Sequence, residues 1–363
     1  MATSYRGDLY KMKAVILSAG YGTRLKPLTD KIAKPLVKVL GVSVIEYTLN
    51  FLDINGIKDV YINRHYFPEQ FESVKIPQGM KITFSTEKDI LGTLGGLLSF
   101  KDHLMDDDFV VVNGDIIFNF DFKQAYHVHR TKNNLATMVV RQQDKKISSF
   151  VYLDDFSNVV DIGKREDDVY QEHMFAGIHI INPDFFNKVK HKEIPSCLVK
   201  DFYIPYIKEG GRITGFAPDG DSFFWSEIGD LKSYLDTNIK MLSLLSRYKL
   251  DNQLESFLSD YWFNDDKHKV IESVEGVWLG EGYYIDHNAT ILPPVFIGAG
   301  SKIMGGCTIG PDVVIGRNVL ISENTQVNNA IILDQGKVSS LSLVEEMVIG
   351  SDFTFNAQKE SIN

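Results

Sequence analysis

Apolar residues change their spacing near position 275, and the change divides the chain into two kinds of structure. Up to about residue 112, short β-branched runs at 13–17, 60–63, 81–84 and 109–112 alternate with helix-like segments such as the amphipathic stretch 44–54. This alternation predicts βαβ units and a mostly parallel sheet whose strands are buried on both faces. Runs at 137–141, 150–153 and 176–181 extend the sheet in a less regular order, and a helix is predicted over 231–245. Past a polar, aromatic connector, Leu279, Ile285, Ile291, Ile297, Ile303, Ile309, Ile315, Ile321, Val327 and Leu333 recur at every sixth position. A small or β-branched residue usually stands two places before each, as at Ala289, Val295, Ser301, Cys307, Val313, Val319 and Thr325. A fixed six-residue period predicts a left-handed parallel β-helix, with each aliphatic pointing into a three-sided prism. The register is expected to fail after Leu333. The predicted division is therefore 11–245, a connector at 246–274, and the prism at 275–355.

The first apolar run is followed directly by LSAGYGTRLKPLTDKIAKPL, residues 17–36. A glycine-rich turn at the carboxyl end of a parallel strand lets the backbone approach an anion, with free N–H groups aimed at it. Gly20 and Gly22 suit that turn, and Arg24, Lys26 and Lys34 supply the positive charge a triphosphate requires. A third glycine for a dinucleotide fingerprint is missing, and so is the lysine-bearing P-loop pattern.

The remaining composition narrows the class. A formal charge of −10 argues against a general nucleic-acid or anionic-membrane surface, so the basic loop is a local exception. Two cysteines, Cys197 and Cys307, make no disulfide framework and suit a reducing cytoplasm. The opening residues carry no signal-peptide core, and no run approaches the ~20 apolar residues of a membrane span. Cys307 falls in the inward small-residue column, where packing is its expected part. His127 and His129 read as helix-surface residues, His179 as a strand residue, and His287 stands at the entry to the repeats.

A second chemistry-bearing turn ends the strand VVVNGD. It sets Asp115 at the sheet's carboxyl edge, where α/β folds bind ligands. Beside a triphosphate loop, a carboxylate there is a Mg²⁺ ligand candidate, because hard cations choose carboxylate and phosphate oxygens.

The segment G-x-G-T-R-L-x-P-L-T followed by K-P-L closely resembles the signature of the sugar-1-phosphate nucleotidyltransferases, and the resemblance spans roughly residues 11–238. It implies an α/β fold, a Rossmann-like mixed sheet followed by a left-handed β-helix tail of hexapeptide repeats like that of several members, resembling the mannose-1-phosphate guanylyltransferases. Ala19, Gly20, Gly22 and Thr23 are then expected at the nucleotide, with Arg24 and Lys34 catalytic: Arg24 on the leaving pyrophosphate and Lys34 on the NTP phosphates. Asp115 and a second acid are expected to hold Mg²⁺. In the run from Trp225 to Asp230 that acid is Glu227, where the family usually has Asp.

EKDILGTLGG, residues 87–96, resembles the family's base-reading segment, with Gly92 and Thr93 matching its Gly-Thr pair. Glu87 stands where thymidylyl and uridylyl members often carry glutamine. An ionised carboxylate accepts two adjacent donors, as guanine's N1–H and 2-amino group offer. Lys164 is expected on the sugar phosphate, and Gly177 to leave room for a sugar ring. The implied reaction is in-line attack of a sugar 1-phosphate on the α-phosphorus of an NTP, with GTP and mannose 1-phosphate favoured and pyrophosphate leaving. Such chemistry needs charge neutralisation and alignment more than covalent groups. Open alternatives are a UTP- or dTTP-using hexose-1-phosphate enzyme, a non-catalytic nucleotide-sugar-binding regulator, and a bifunctional enzyme with an acyl-transferring prism. The outward apolar residues Val314 and Leu320 lead to the expectation of a homo-oligomer formed through the β-helix.

Overall fold

The computed structural model describes residues 12–142, 150–163, 170–190, 193–218, 223–247, 252–264 and 269–357. They fall into two compact units. One takes the chain up to Tyr21 with Ala33–Leu36 and Ile45–Trp225; the other takes Gly22–Ile32, Val37–Val44 and everything from Ser226. The units interleave along the chain, since two short stretches before residue 45 group with the residues from Ser226 onward. Within the second unit, the helix Leu231–Ser246 and the connector satisfy the backbone of the hairpin formed by Lys38–Val39 and Val42–Ser43. Asn238 Oδ1 accepts from Leu40 N at 3.1 Å, the Tyr234 hydroxyl donates to Lys38 O at 2.8 Å, and the Trp262 indole donates to Leu40 O at 3.0 Å. Partners some 200 positions apart leave no trace in local spacing.

In the first unit, Lys13–Leu17 lies between Asp59–Arg64 and Phe109–Asn113, parallel to both, and Lys81–Thr86 extends the parallel side beyond Asp59–Arg64. Gln171–Ile181 then runs antiparallel to Phe109–Asn113 and bridges to Ala136–Gln142 and Phe150–Leu153. The pairing with Ala136–Gln142 shifts register between Phe175 and His179, where Gly177 adopts φ +79°. Val15, Val111, Met138 and Ile181 are fully buried on one face, together with Phe109, Phe185 and Tyr203. Full burial of each such side chain stabilises the fold by roughly 1.5–3 kcal/mol.

The second unit contains the predicted prism. Three parallel ladders stack its turns, and Val295–Ile297, Val313–Ile315, Ala330–Ile332 and Met347–Ile349 form one wall. Two expectations are corrected here. The inward aliphatic after Val327 is Ile332, not Leu333, and the coil continues through Val338 and Val344 to Ile349. Two turns are shortened to five residues, each at a left-handed corner, Asn329 (φ 41°) and Glu346 (φ 51°), so the six-residue count loses phase while the helix goes on. Val314 points outward but is buried, as are Phe296 and Ile331, and Phe296 packs against Trp262 at 5.4 Å. Leu320 is half-buried. The wall's two edges are capped by antiparallel strands of the chain itself, Val270–Val274 at one end and Thr354–Asn356 at the other. Cys307 is buried in the small-residue column and donates to Ser322 O at 3.0 Å, matching Ser301 to Gly316 O and Thr325 to Ser339 O.

Candidate functional site

In the first unit the candidate residues gather at the carboxyl ends of the parallel strands. The turn after Phe109–Asn113 hooks back, with Gly114 N donating to Leu17 O at 2.9 Å. A Cβ at Gly114 would stand 2.6 Å from Ser18 Oγ and 2.9 Å from Leu17 O, so only glycine permits this approach. Asp115 thereby sits beside the glycine loop that begins at Ser18. Its Oδ2 receives Lys34 Nζ at 2.6 Å, with the two side chains 25% and 12% exposed. Lys34 comes from the short turn Lys34–Leu36, closed by Leu36 N donating to Ala33 O at 2.8 Å. Gly20 is exposed, with nothing within 4 Å of where a Cβ would stand, whereas Ala19 is buried.

Glu87 departs from the expected open carboxylate. It is 5% exposed; its Oε1 accepts from Asn63 Nδ2 at 2.7 Å and its Oε2 from Leu91 N at 2.9 Å. Desolvation favours such internal partners, and each carboxylate oxygen of Glu87 already has one. Gly92 (φ +76°) and Thr93 are likewise occupied by the fold. A Cβ at Gly92 would lie 2.3 Å from Ser196 O, and Thr93 Oγ1 accepts from Leu198 N at 2.8 Å. Gly177 relieves a bulge. A Cβ there would stand 3.1 Å from Asn113 Nδ2, its nearest neighbour, so its closest constraint is the sheet itself. Lys164 lies outside the described residues.

His179 is a strand residue, as expected. Burial drives its pKa down to about 3, and its Nδ1 is 3.1 Å from the Tyr203 hydroxyl. His129 corrects the surface reading: it is buried, with Nδ1 3.0 Å from Thr137 Oγ1 and Nε2 3.7 Å from Asp108 Oδ1. Asn63 escaped the sequence reading altogether. Its only signal was a polar side chain at the end of an apolar run.

In the second unit, Gly22 (φ 64°) opens the turn Thr23–Leu25, and Thr29 Oγ1 donates to Gly22 O at 2.8 Å. Arg24 Nη2 lies 3.6 Å from Glu227 Oε1, with side chains 69% and 40% exposed. Water screens so open a pair, which contributes little to stability and leaves the guanidinium accessible. Glu227 ends the strand Phe224–Glu227, and Asp230 starts the next helix through a reciprocal cap with Ser233. The carboxylates of Asp115 and Glu227 are hard oxygen donors, and a Mg²⁺ ion is commonly held by one or two carboxylates plus substrate phosphates, so the donor chemistry fits that cation. Among the described residues no group of three or more His, Cys, Asp or Glu is placed to hold a metal by itself.

The family model described as "Nucleotidyl transferase" matches residues 13–243, and that described as "GMPPB C-terminal domain" matches residues 283–359. The chain is 26% identical over 351 residues to a rice protein named probable mannose-1-phosphate guanylyltransferase 1, covering 93% of this chain and 86% of the relative. It is 28% identical over 363 residues to a UTP–glucose-1-phosphate uridylyltransferase of Synechocystis, covering 93% and 87%. Against the mannose-1-phosphate guanyltransferase of Saccharomyces cerevisiae it is 30% identical over 245 residues, covering 65% and 66%. A crystal structure of a Bacillus anthracis protein assigned as a glucose-1-phosphate thymidylyltransferase superposes with a TM-score of 0.54 at 19% identity, covering 62% of this chain and 94% of that one. That likeness establishes the shared fold.

Proposed function

Because the chain belongs to the nucleotidyl transferase family, we propose that it transfers a guanylyl group from GTP to mannose 1-phosphate, releasing pyrophosphate and forming the nucleotide sugar. The observation that carries the reading is the meeting of the glycine loop, Lys34 and Asp115 at one sheet edge, with Lys34 already 2.6 Å from the carboxylate. The choice of base and sugar rests on the names of the relatives with guanylyltransferase activity. The uridylyltransferase relative keeps the UTP-using alternative as a second reading.

Each residue's part follows from its chemistry. Backbone N–H groups of the loop from Ala19 to Thr23 face the triphosphate, Lys34 neutralises its phosphates, and Arg24 meets charge as it builds on the leaving pyrophosphate. Asp115 and Glu227 are the residues that would hold Mg²⁺, which when bound would neutralise phosphate charge. Each carboxylate now has a cationic neighbour within its own unit, Lys34 for Asp115 and Arg24 for Glu227. A triphosphate competes for those cations and a metal for those acids, so both pairs are ready to exchange partners on loading. The attacking sugar phosphate is ionised near neutral pH, so no general base is required. Lys164 and Gly177 are assigned to the sugar-phosphate side, and Gly92 and Thr93 to shaping the nucleotide pocket. The exposed Leu341 and Leu343 on the prism are the apolar residues assigned to subunit association. A cytoplasmic site of action completes the reading.

The test is a grid of kcat/KM values over GTP, UTP and dTTP against mannose and glucose 1-phosphates, since selectivity is a difference of transition-state binding. Highest values for GTP with mannose 1-phosphate support the reading. Preference for UTP with glucose 1-phosphate would transfer it to the second.

A further inference from the structure

The carboxyl ends of three neighbouring strands are joined by two buried polar side chains. Ser18 N, at the head of the glycine loop, donates to Asn63 Oδ1 at 2.7 Å. Asn63 Nδ2 donates to Glu87 Oε1 at 2.7 Å, and Glu87 Oε2 accepts from Leu91 N at 2.9 Å. Asn63 and Glu87 are 2% and 5% exposed, so the two links through Asn63 are buried and the third, from Leu91 N, is partly so. Gly96 closes the packing, since a Cβ there would stand 2.5 Å from Asn63 Nδ2 and 3.1 Å from Glu87 Oε1.

The chain of hydrogen bonds has a direction. A main-chain N–H at one end requires an acceptor and a carboxylate at the other requires a donor, so a primary amide in one orientation is the group that serves both. Aspartate would offer acceptors only, and leucine neither.

We propose that Asn63 and Glu87 form a positioning relay that locks the glycine loop to the turn at Leu91 and so preorganises the nucleotide site. Neither residue needs to touch the nucleotide. The catalytic consequence rests on the nucleotidyl-transfer reading, whereas the anchoring of the loop does not. Misplacing a substrate-binding loop by about 1 Å costs roughly 100-fold in rate, which sets the scale of the effect.

The test compares the full chain with Asn63→Asp, Glu87→Gln and the double variant. In Asn63→Asp two carboxylates face each other at the relay. Like charges at that range share a proton, so the variant should be defective at pH 8 and recover relative to wild type on acidification. The other titratable groups around the pair are few. His65 Nδ1 lies 2.9 Å from the Glu87 main-chain oxygen, Lys88 and Asp89 are exposed on the same loop, and the helix Gly92–Leu98 carries none.

In the double variant the amide introduced at position 87 can donate to the carboxylate introduced at position 63 and still accept from Leu91 N, so the relay is rebuilt with its polarity exchanged. Two readouts are made: hydrogen exchange of the amides in residues 18–22, and kcat and KM with NTP and sugar 1-phosphate. Expected at pH 8 is exchange about tenfold faster and kcat roughly 100-fold lower in Asn63→Asp, with KM for the sugar 1-phosphate unchanged and both defects largely reversed in the double variant. Unchanged exchange at residues 18–22, or a double variant no better than Asn63→Asp, overturns the relay. A uniform loss of thermal stability with neither pH dependence nor rescue does the same. If Asn63→Asp fails to fold, recovery of folding and activity in the double variant supports the relay, and its failure overturns it. A wild-type chain that transfers no nucleotidyl group refutes the functional reading alone, since hydrogen exchange still judges the relay.

Discussion

The prism and the sheet edge under the glycine loop hold their residues in place by opposite means. In the prism, Ile297, Ile303, Ile309, Ile315 and Ile321 occupy equivalent, fully buried places, each stacked on the residue one coil away. What matters there is that the side chain is aliphatic and of about the right size. At the sheet edge Asn63, Glu87 and Gly114 each answer to named atoms at fixed distances. Cost in the first region should be graded and confined to stability, and in the second abrupt and felt in function.

The largest expected effect is at Asp115. Asp115→Asn keeps size and a partial acceptor but removes the charge, and should lower pyrophosphate release by roughly 10³-fold or more while the fold survives thermal denaturation unchanged. A variant with near wild-type rate would show that this carboxylate serves only to pair with Lys34. On the other side of the comparison, Ile315→Ala should cost about 2–5 kcal/mol in chemical denaturation, with the rate per folded molecule retained at low temperature. Loss of rate without loss of stability would break the contrast between the two regions.

Arg24→Ala comes next. Its guanidinium is 69% exposed and only loosely paired, so turnover should fall by about 100-fold with a modest change in NTP affinity. Equal losses in binding and turnover would reduce Arg24 to an anchor.

The smallest effect concerns acid stability. Burial alone would raise the pKa of Asp108, but hydrogen bonds and charge from His129 and Arg130 outweigh it and hold the carboxyl below its ordinary value. The folded chain thus favours the ionised form. The resulting stability is present above the unfolded carboxylate's pKa, near 4, and is lost as pH falls through the lower folded value. Unfolding free energies of wild type and Asp108→Asn should therefore differ most near neutrality and converge as the pH falls below the ordinary carboxylate range. A constant gap across that range would assign Asp108 a role independent of its charge.

How much could be read from the chain follows the same division. A six-residue period is a local property repeated many times, so the prism was legible even though the short corners at Asn329 and Glu346 hid its last coils. The strand–turn pattern likewise exposed the glycine loop and Asp115. Glu87 was legible as a motif position but not in its surroundings, because burial and the link to Asn63 depend on a strand 24 residues away. Val314 looks outward by period alone, whereas it is buried. Periodicity gives the direction of a side chain; what covers it is decided by residues distant in sequence. A truncation near residue 250 would accordingly cut through the second unit and remove Trp262 from Leu40.

The most direct test of nucleotidyl transfer follows pyrophosphate from the full chain with GTP, mannose 1-phosphate and Mg²⁺, omitting each in turn while quantifying the nucleotide sugar. Pyrophosphate is expected only when all three are present, and in equal amount to the nucleotide sugar. Pyrophosphate without the sugar phosphate, or nucleotide-sugar binding with no turnover for any NTP and sugar 1-phosphate, would contradict nucleotidyl transfer.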